Sequence, residues 1–278
     1  MKVLYRSAWL STRGEILFLM VLAGLVFCGV PLMLGHIGFS WDGLNHHIYL
    51  GWSAEHERFG RDIQAAGTQV YQFPYLYWLP YRLMHADING ALAGAIINIQ
   101  YLLSVPAVWL ICKAGMPQNT VFDQFCRILG SILAFTSCVS LSFLDTTAND
   151  WVAAIPMLWA VAFTVLPTRS TQDQVGTPKI IDLTKFIVAG FFVGMAVAFK
   201  LSNGPLSIVF PVFWMYVAPG SLVRKSMYMI CACLSVLFGF LVIYGYWGSV
   251  LWQYFGNPIY PYYDNLFETA RRVFGWQP

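Results

Sequence analysis

The chain contains 278 residues, of which 58% are hydrophobic and only 10% are charged, and its mean hydropathy is +0.60. Soluble domains are about 45–50% apolar and about 25% charged, so this chain has too few charged side chains to cover a soluble surface. The composition excludes a cytosolic enzyme, a disordered chain and a nucleic-acid-binding protein. A net charge of +3 is too small to indicate a polyanionic partner. We therefore expect a polytopic membrane protein.

Seven apolar runs predict membrane-spanning helices, because a bilayer core is crossed by about 20 apolar helical residues. The first run, Ile16 to Gly35, carries no charge and is too long for the core of a signal peptide. The runs cover residues 16–35, 90–112, 127–144, 150–167, 184–199, 203–219 and 227–248. The predicted fold is all-α, with residues 1–278 forming one transmembrane helical bundle of about seven spans.

Basic residues in the short connections predict the orientation, because lysine and arginine concentrate on the cytoplasmic side. If the spans alternate, four basic clusters fall on one side. They are Lys2, Arg6 and Arg13; Lys113 and Arg127; Arg169, Lys179 and Lys185; and Arg224 and Lys225. We expect a cytoplasmic N-terminus, with the first outer loop (residues 36–89) and the terminal outer segment (residues 249–278) outside.

The first outer loop contains all five histidines and five of the thirteen acidic residues of the chain. Residues 42–59 predict an amphipathic surface helix. Residues 70–85, with two interior prolines, predict a re-entrant or interfacial helix too short to cross the bilayer, since about 20 residues are needed. Its aromatic side chains fit either a lipid or sugar groove or an interface belt. We expect any catalytic groups in this loop.

Asp42, at the start of the surface helix, has two open interpretations. It is either a catalytic or metal-binding carboxylate or the N-cap of the helix, where aspartate is favoured. His46 lies four residues further, on the same helical face, so Asp42 with His46 and His47 is a candidate ligand set for a divalent cation. The alternative is a set of polar side chains at the membrane interface.

Two other outer turns carry charged residues. Asp145 and Asp150 bound a polar turn. It either provides a second carboxylate for a site or caps the following helix through Asn149 or Asp150. Lys200 lies between two apolar runs, at a depth that is costly unless the side chain snorkels or is paired. An anionic phosphate head group would be one suitable partner for it.

Five short stretches together match the pattern of a known family: Asp42, Asn45-His46-His47-Ile48-Tyr49, Gly60-Arg61-Asp62, Gln69-Val70-Tyr71-Gln72-Phe73-Pro74 and Gly256-Asn257-Pro258-Ile259-Tyr260-Pro261. In these stretches the chain resembles the bacterial GT-C membrane glycosyltransferases, a group similar in fold to protein mannosyltransferases and lipid A aminoarabinose transferases. His46 stands where those relatives have tyrosine, and Phe73 where they have asparagine. Members carry further spans after the Gly-Asn-Pro loop, so a truncated, shortened or inactive member is expected.

The resemblance implies an enzyme of the bacterial inner membrane that moves a sugar, with inversion, from a polyprenyl-phosphate carrier to an acceptor at the outer face. Asp42 matches the family's catalytic acid, which acts as a general base or is linked to a divalent cation. The candidate substrate-binding residues are His46, His47, Arg58, Arg61, Asp62, Gln69, Tyr71, Asp145, Asp150, Lys200 and Asn257. The alternative is a non-catalytic membrane assembly protein.

Overall fold

The computed structural model describes residues 7–38, 40–62, 65–166 and 180–275, and this part of the chain is almost entirely helical. Short turns of 3-10 helix, one π-helical turn and one four-residue strand, Ala65–Thr68, occupy the connections. The α-helices described are α1 (Thr12–Leu34), α2 (Ile48–Ser53), α3 (Trp78–His85), α4 (Gly90–Ile99), α5 (Ser104–Gly115), α6 (Val121–Ala134), α7 (Cys138–Ser142), α8 (Asp150–Val165), α9 (Ile180–Phe199), α10 (Gly204–Ser207), α11 (Phe210–Val217), α12 (Leu222–Phe255) and α13 (Asp264–Phe274).

Three helical units in the described residues are long and apolar enough to cross a membrane: α1, the α4–α5 unit Gly90–Gly115, and α12. A fourth is obtained if α6 and the segment Cys138–Asp145, which are bent by 58°, count as one span. The remaining apolar helical segments, Asp150–Val165, Leu183–Phe199 and Leu201–Val217, are shorter. The structure therefore has the features of a membrane protein, with three to four candidate spans where the sequence predicts seven.

The break between α6 and α7 falls inside the run 127–144 that the sequence predicts as one span. The Thr136 hydroxyl donates to the carbonyl of Leu133 at 3.0 Å, and the Ser137 hydroxyl accepts from the amide of Ser140 at 3.1 Å. Serine and threonine side chains that bond the backbone in this way compete with helix continuation. The short polar sequence thus ends one helix and caps the next.

Helix α1 contains Pro31, whose missing N–H deprives the carbonyl of Phe27 of its helical donor. The buried side chain of Asn98 on α4 supplies the replacement, with its Nδ2 2.7 Å from the Phe27 oxygen and 2.9 Å from the oxygen of Leu144. Gly94 lets the helices approach, because a Cβ there would lie 2.6 Å from the ring of Pro31. One amide thereby joins α1, α4 and the segment before α8.

Helices α9 and α12 pack with their backbones in close contact. A Cβ added at Gly190 would lie 2.2 Å from the carbonyl oxygen of Ala232, and one at Gly194 would lie 2.1 Å from that of Val236. Small residues four apart allow such an approach in membrane proteins, where tight packing holds helices together. Glycine at both positions is required by this contact.

A buried ion pair joins α1 to α6 at the end of the bundle predicted to be cytoplasmic. The guanidinium of Arg127 donates to both carboxylate oxygens of Glu15, and Glu15 also accepts from Trp109 at 2.9 Å and Gln124 at 3.0 Å. Arg127 therefore lies within α6, and Glu15 neutralises its charge. It does not belong to the positively charged loop residues from which the orientation is predicted. The interpretation of Arg127 as a loop residue is wrong.

Connections that the sequence places on the same side of the bundle do meet in space. At the end opposite to the Glu15–Arg127 pair, which we call the outer end, the first outer loop contacts the turns before α8 and after α9 and the terminal segment. Pairs in contact there are Gly38 with Asp145, His47 with Thr147, Lys200 with Asp150, and Tyr71 with Tyr260. The outer end therefore gathers the residues that the sequence singled out.

Candidate functional site

Asp42 does not cap the helix in which it lies. The hydroxyl of Ser40 accepts from the amide of Gly43 at 3.1 Å, so Ser40 makes the capping hydrogen bond. Asp42 has helical backbone angles and makes no capping bond, and its side chain is 57% exposed. The N-cap interpretation of Asp42 is wrong, and its carboxylate is left free for another role.

His46 and His47 are both buried, in a π-helical turn that covers Gly43–His47. Such turns are rare and often occur at functional sites. The Nδ1 atom of His47 lies 2.8 Å from the hydroxyl oxygen of Thr147, and its ring stacks on Tyr77 with the centroids 4.7 Å apart. The ring of His46 meets that of His47 edge-on, at 4.5 Å between centroids. These contacts fix the orientation of both imidazoles.

Both imidazoles are neutral at neutral pH. Burial, reinforced by the neighbouring His46, lowers the pKa of His47 to about 4. Burial also lowers the pKa of His46, more than the nearby carboxylate of Asp42 raises it. Burial raises the pKa of the Tyr77 hydroxyl, with smaller contributions from Asp150 and Asp42. A neutral imidazole has one donor and one acceptor nitrogen, so it can orient a carboxylate or a hydroxyl.

Charged groups lie around the histidines. The Asp42 carboxylate is 3.8 Å from Nδ1 of His46, and Lys200 forms an ion pair with Asp150. The two carboxylates and the lysine all act electrostatically on His47, so all three lie around this histidine. We call Asp42, His46, His47, Asp150 and Lys200 the outer polar cluster. Both acids and the lysine keep exposed surface, so a ligand can reach them.

Two buried polar atoms at the cluster have no hydrogen-bond partner among the described residues. They are Nδ1 of His46 and Oδ1 of Asn149, whose residues are 3% and 5% exposed. Buried polar groups are nearly always satisfied, so an orphaned pair is typical of a site that a ligand or water completes. From the sequence, Asn149 is predicted only as a candidate helix cap and Tyr77 only as part of the aromatic stretch 70–85, and Thr147 is not singled out.

A cavity of about 100 Å³ opens beside Lys200. It combines aromatic and apolar side chains with a few polar groups, the usual composition of a small-ligand site. Its lining residues are Gln72, Phe73, Phe199, Lys200, Leu201, Ser202 and Tyr262. A second cavity, of about 350 Å³, lies behind Thr147 and extends toward His36 and Ile97. The outer polar cluster borders the first cavity through Lys200 and adjoins the second through Thr147, the hydrogen-bond partner of His47.

Three of the predicted substrate-binding residues belong to a separate group in the first outer loop. Arg58 pairs with Asp62 at 3.3 Å, and the Tyr49 hydroxyl donates to the same carboxylate at 3.3 Å. Arg61 is exposed, and its backbone amide donates to the carbonyl of Arg58 in the same turn. Among the described residues, no hydrogen bond or ion pair connects this group to Asp42. The structure thus separates Arg58, Arg61 and Asp62 from the outer polar cluster.

The remaining predicted residues have structural contacts. Asp145 accepts from the amide of Gly38 at 2.5 Å, which anchors the start of the first outer loop. The side-chain amide of Asn257 is buried and bonds Tyr262, Asp264 and Ile259 within the terminal segment. These contacts leave no free polar atom on Asn257 for a substrate.

Gln69 and Tyr71 belong to a 3-10 turn in the first outer loop. Gln69 is partly exposed, and its carbonyl accepts from the amide of Gln72 at 3.1 Å. The ring of Tyr71 packs edge-on against Phe255 and Tyr260, which fixes the turn against the terminal segment. The position of Tyr71 is therefore explained by packing.

A divalent cation is not supported by the ligands at hand. Within the described ranges, no group of three or more His, Cys, Asp or Glu side chains is arranged to hold a metal ion. Asp42 and His46 are the nearest pair in the cluster, and two ligands are fewer than a stable protein site uses.

Comparison with protein-family models, with curated proteins and with solved structures finds no match for this chain. The function of the site therefore has to be inferred from its geometry and chemistry.

Proposed function

We propose that the chain is a membrane glycosyltransferase that moves a sugar from a polyprenyl-phosphate carrier to an acceptor at the outer face of the membrane. The observation that carries this proposal is the outer polar cluster, which brings a free carboxylate, two neutral histidines and a lysine together. Such a transfer uses a base for the acceptor and a cation for the phosphate. In the outer polar cluster, Asp42 is the proposed base and Lys200 is the proposed cation.

In the proposed reaction the Asp42 carboxylate accepts the proton of the acceptor hydroxyl. The hydroxyl oxygen forms a bond to the anomeric carbon of the sugar as the bond from that carbon to the phosphate oxygen breaks. The electron pair of the broken bond leaves with the polyprenyl phosphate, and the anomeric configuration is inverted. Nδ1 of the buried His46 lies 3.8 Å from the Asp42 carboxylate, with no hydrogen bond between them.

Lys200 is the proposed partner of the carrier phosphate. Its side chain is 30% exposed and forms part of the wall of the cavity that Phe73 and Phe199 also line. A positive charge stabilises the negative charge that develops on the departing phosphate. The aromatic wall offers an apolar surface to the sugar ring or to the first isoprene unit of the carrier.

The test is sugar transfer from a polyprenyl-phosphate donor by the Asp42→Asn variant in membranes. Loss of a general base lowers the rate about 10²–10⁴-fold. Expression and thermal stability should stay normal, because Ser40 provides the helix cap. Asp87→Asn is the matched control, since asparagine also tolerates the positive φ of 52° found at Asp87.

Full transfer by Asp42→Asn at normal expression would remove Asp42 from the reaction. Absence of transfer in the unmodified chain, with every donor tried, would favour the non-catalytic assembly protein.

The proposal includes the bacterial inner membrane and an N-terminus in the cytoplasm, with the shorter apolar helices α8 to α11 completing seven spans. Single cysteines at Gly60 and Gly115, in a cysteine-free background, test this orientation. Both positions are exposed, and an added Cβ meets nothing within 4 Å. A membrane-impermeant maleimide added to intact cells should label position 60 and spare position 115. The reverse pattern would contradict the orientation.

A further inference from the structure

We propose that Asp150 is a built-in competitor for the phosphate site of Lys200, so that a carrier phosphate binds by displacing the carboxylate. This inference rests on the proposed function and adds that the Asp150 carboxylate occupies the anion site at Lys200 before the carrier phosphate binds. The ion pair between Lys200 and Asp150 occupies the one cationic group of the outer polar cluster. A phosphate and the carboxylate would therefore exchange on the same ammonium.

The geometry allows the exchange without unfolding either helix. The side chain of Lys200 is 30% exposed and that of Asp150 is 46% exposed, so the pair is weak enough to open. Lys200 follows the last residue of α9 in an extended conformation, and its long side chain can turn toward the cavity that it already lines. Gln72 and Ser202 line the same cavity.

Asp150 has a second stabilising interaction that remains when Lys200 leaves. It is the first residue of α8, and a negative charge at the N-terminus of a helix is stabilised by the helix dipole. The displaced carboxylate thus stays beside the buried His47, on which it already acts electrostatically. Binding of the ligand anion therefore does not leave the Asp150 carboxylate without a stabilising interaction.

The inference predicts opposite effects of removing the two charges. Asp150→Asn frees Lys200 and should tighten phosphate binding about two- to fivefold, the range expected for an exposed ion pair. Lys200→Ala should weaken it by about tenfold or more, because a charge-assisted hydrogen bond is lost. In the double variant Asp150→Asn/Lys200→Ala, binding should be as weak as in Lys200→Ala alone.

The experiment measures binding of farnesyl phosphate to the purified chain in an uncharged detergent by calorimetry. Inorganic phosphate and uncharged farnesol are the comparison probes. Glu268→Gln is the matched control, because it removes a carboxylate from another exposed ion pair, with Arg272 in the terminal segment. This control should bind farnesyl phosphate as the unmodified chain does. The thermal midpoint of each variant checks that it is folded.

Binding that depends on Lys200 but is equal or weaker in Asp150→Asn would overturn the competition and leave the proposed phosphate site intact. Absence of binding, or equal binding by Lys200→Ala, would overturn both the competition and that part of the proposed function. Equal affinity for inorganic phosphate and farnesyl phosphate would keep the exchange and contradict a prenyl carrier.

Discussion

Arg127 and Glu15 form a doubly hydrogen-bonded ion pair whose side chains are 0% and 1% exposed. The remaining donors of Arg127 reach the carbonyls of Met116 and Gln118, at 2.9 and 2.8 Å. Both charges are thus fully paired in the interior, where an unpaired charge would be very costly. The pair fixes α6 and the loop before it against α1.

Glu15→Gln should therefore destabilise the fold strongly. It leaves the Arg127 charge buried without a counter-ion, at a cost of about 3–5 kcal/mol. Unfolding by denaturing detergent in mixed micelles measures the change. The control Glu268→Gln breaks the exposed pair with Arg272 and should cost about 1 kcal/mol or less. Equal costs for the two variants would contradict the structural role of the buried pair.

Asn98→Leu should cost about 1–3 kcal/mol, because the carbonyls of Phe27 and Leu144 lose their buried donor. Adding Pro31→Ala should recover part of that cost, since alanine restores an N–H for the Phe27 carbonyl. A double-mutant cycle on the same unfolding assay measures the recovery. Strictly additive effects would show that the proline does not create the need for Asn98.

Gly190→Ala should destabilise the contact between α9 and α12 by about 1–3 kcal/mol, the usual cost of overpacking. The new Cβ would lie 2.2 Å from the carbonyl oxygen of Ala232. Gly245→Ala on α12 is the matched control, because nothing lies within 4 Å of its added Cβ. There alanine should be neutral or slightly stabilising. Detergent unfolding of both variants gives the comparison, and equal midpoints would contradict the close approach.

Stability should fall as the pH drops from about 6.5 to about 4, because the folded chain holds the pKa of His47 at about 4. The unfolded chain binds a proton on this histidine in that range and the folded chain does not, so protonation favours unfolding. The loss amounts to roughly 3 kcal/mol. His47→Gln should flatten this part of the pH profile relative to the unmodified chain. An unaltered profile in His47→Gln would contradict the assignment.

Composition and hydrophobic runs predict the helical membrane character, since both depend on local sequence. The sequence also identifies Asp42, His46, His47, Asp150 and Lys200 as candidates because polar residues are rare in the chain. The sequence does not show which of these residues are in contact, because the partners are far apart along the chain. Lys200 and Asp150 are 50 residues apart and form an ion pair.

Other features depend on tertiary contacts and could not be predicted from sequence. The observed helix cap is Ser40, two positions before the candidate cap Asp42. This difference is within the usual uncertainty of a helix boundary. Arg127 is recognised as buried only when Glu15, 112 residues away, is placed against it. Asn257 resembles a substrate ligand in a short motif, but its amide is used within its own turn.

The residues of the outer polar cluster come from two separately packed parts of the bundle. Asp42 follows α1, which Asn98 ties to α4, whereas Lys200 ends α9, whose backbone is pressed against α12. Helix α8 lies between these parts and contacts both α5 and α9. A shear of the α9–α12 pair along α8 would therefore change the separation of Asp42 and Lys200. Helices accommodate the hydrophobic thickness of the surrounding lipid by tilting, so we expect a change of lipid thickness to alter the distance between the proposed base and the proposed phosphate partner.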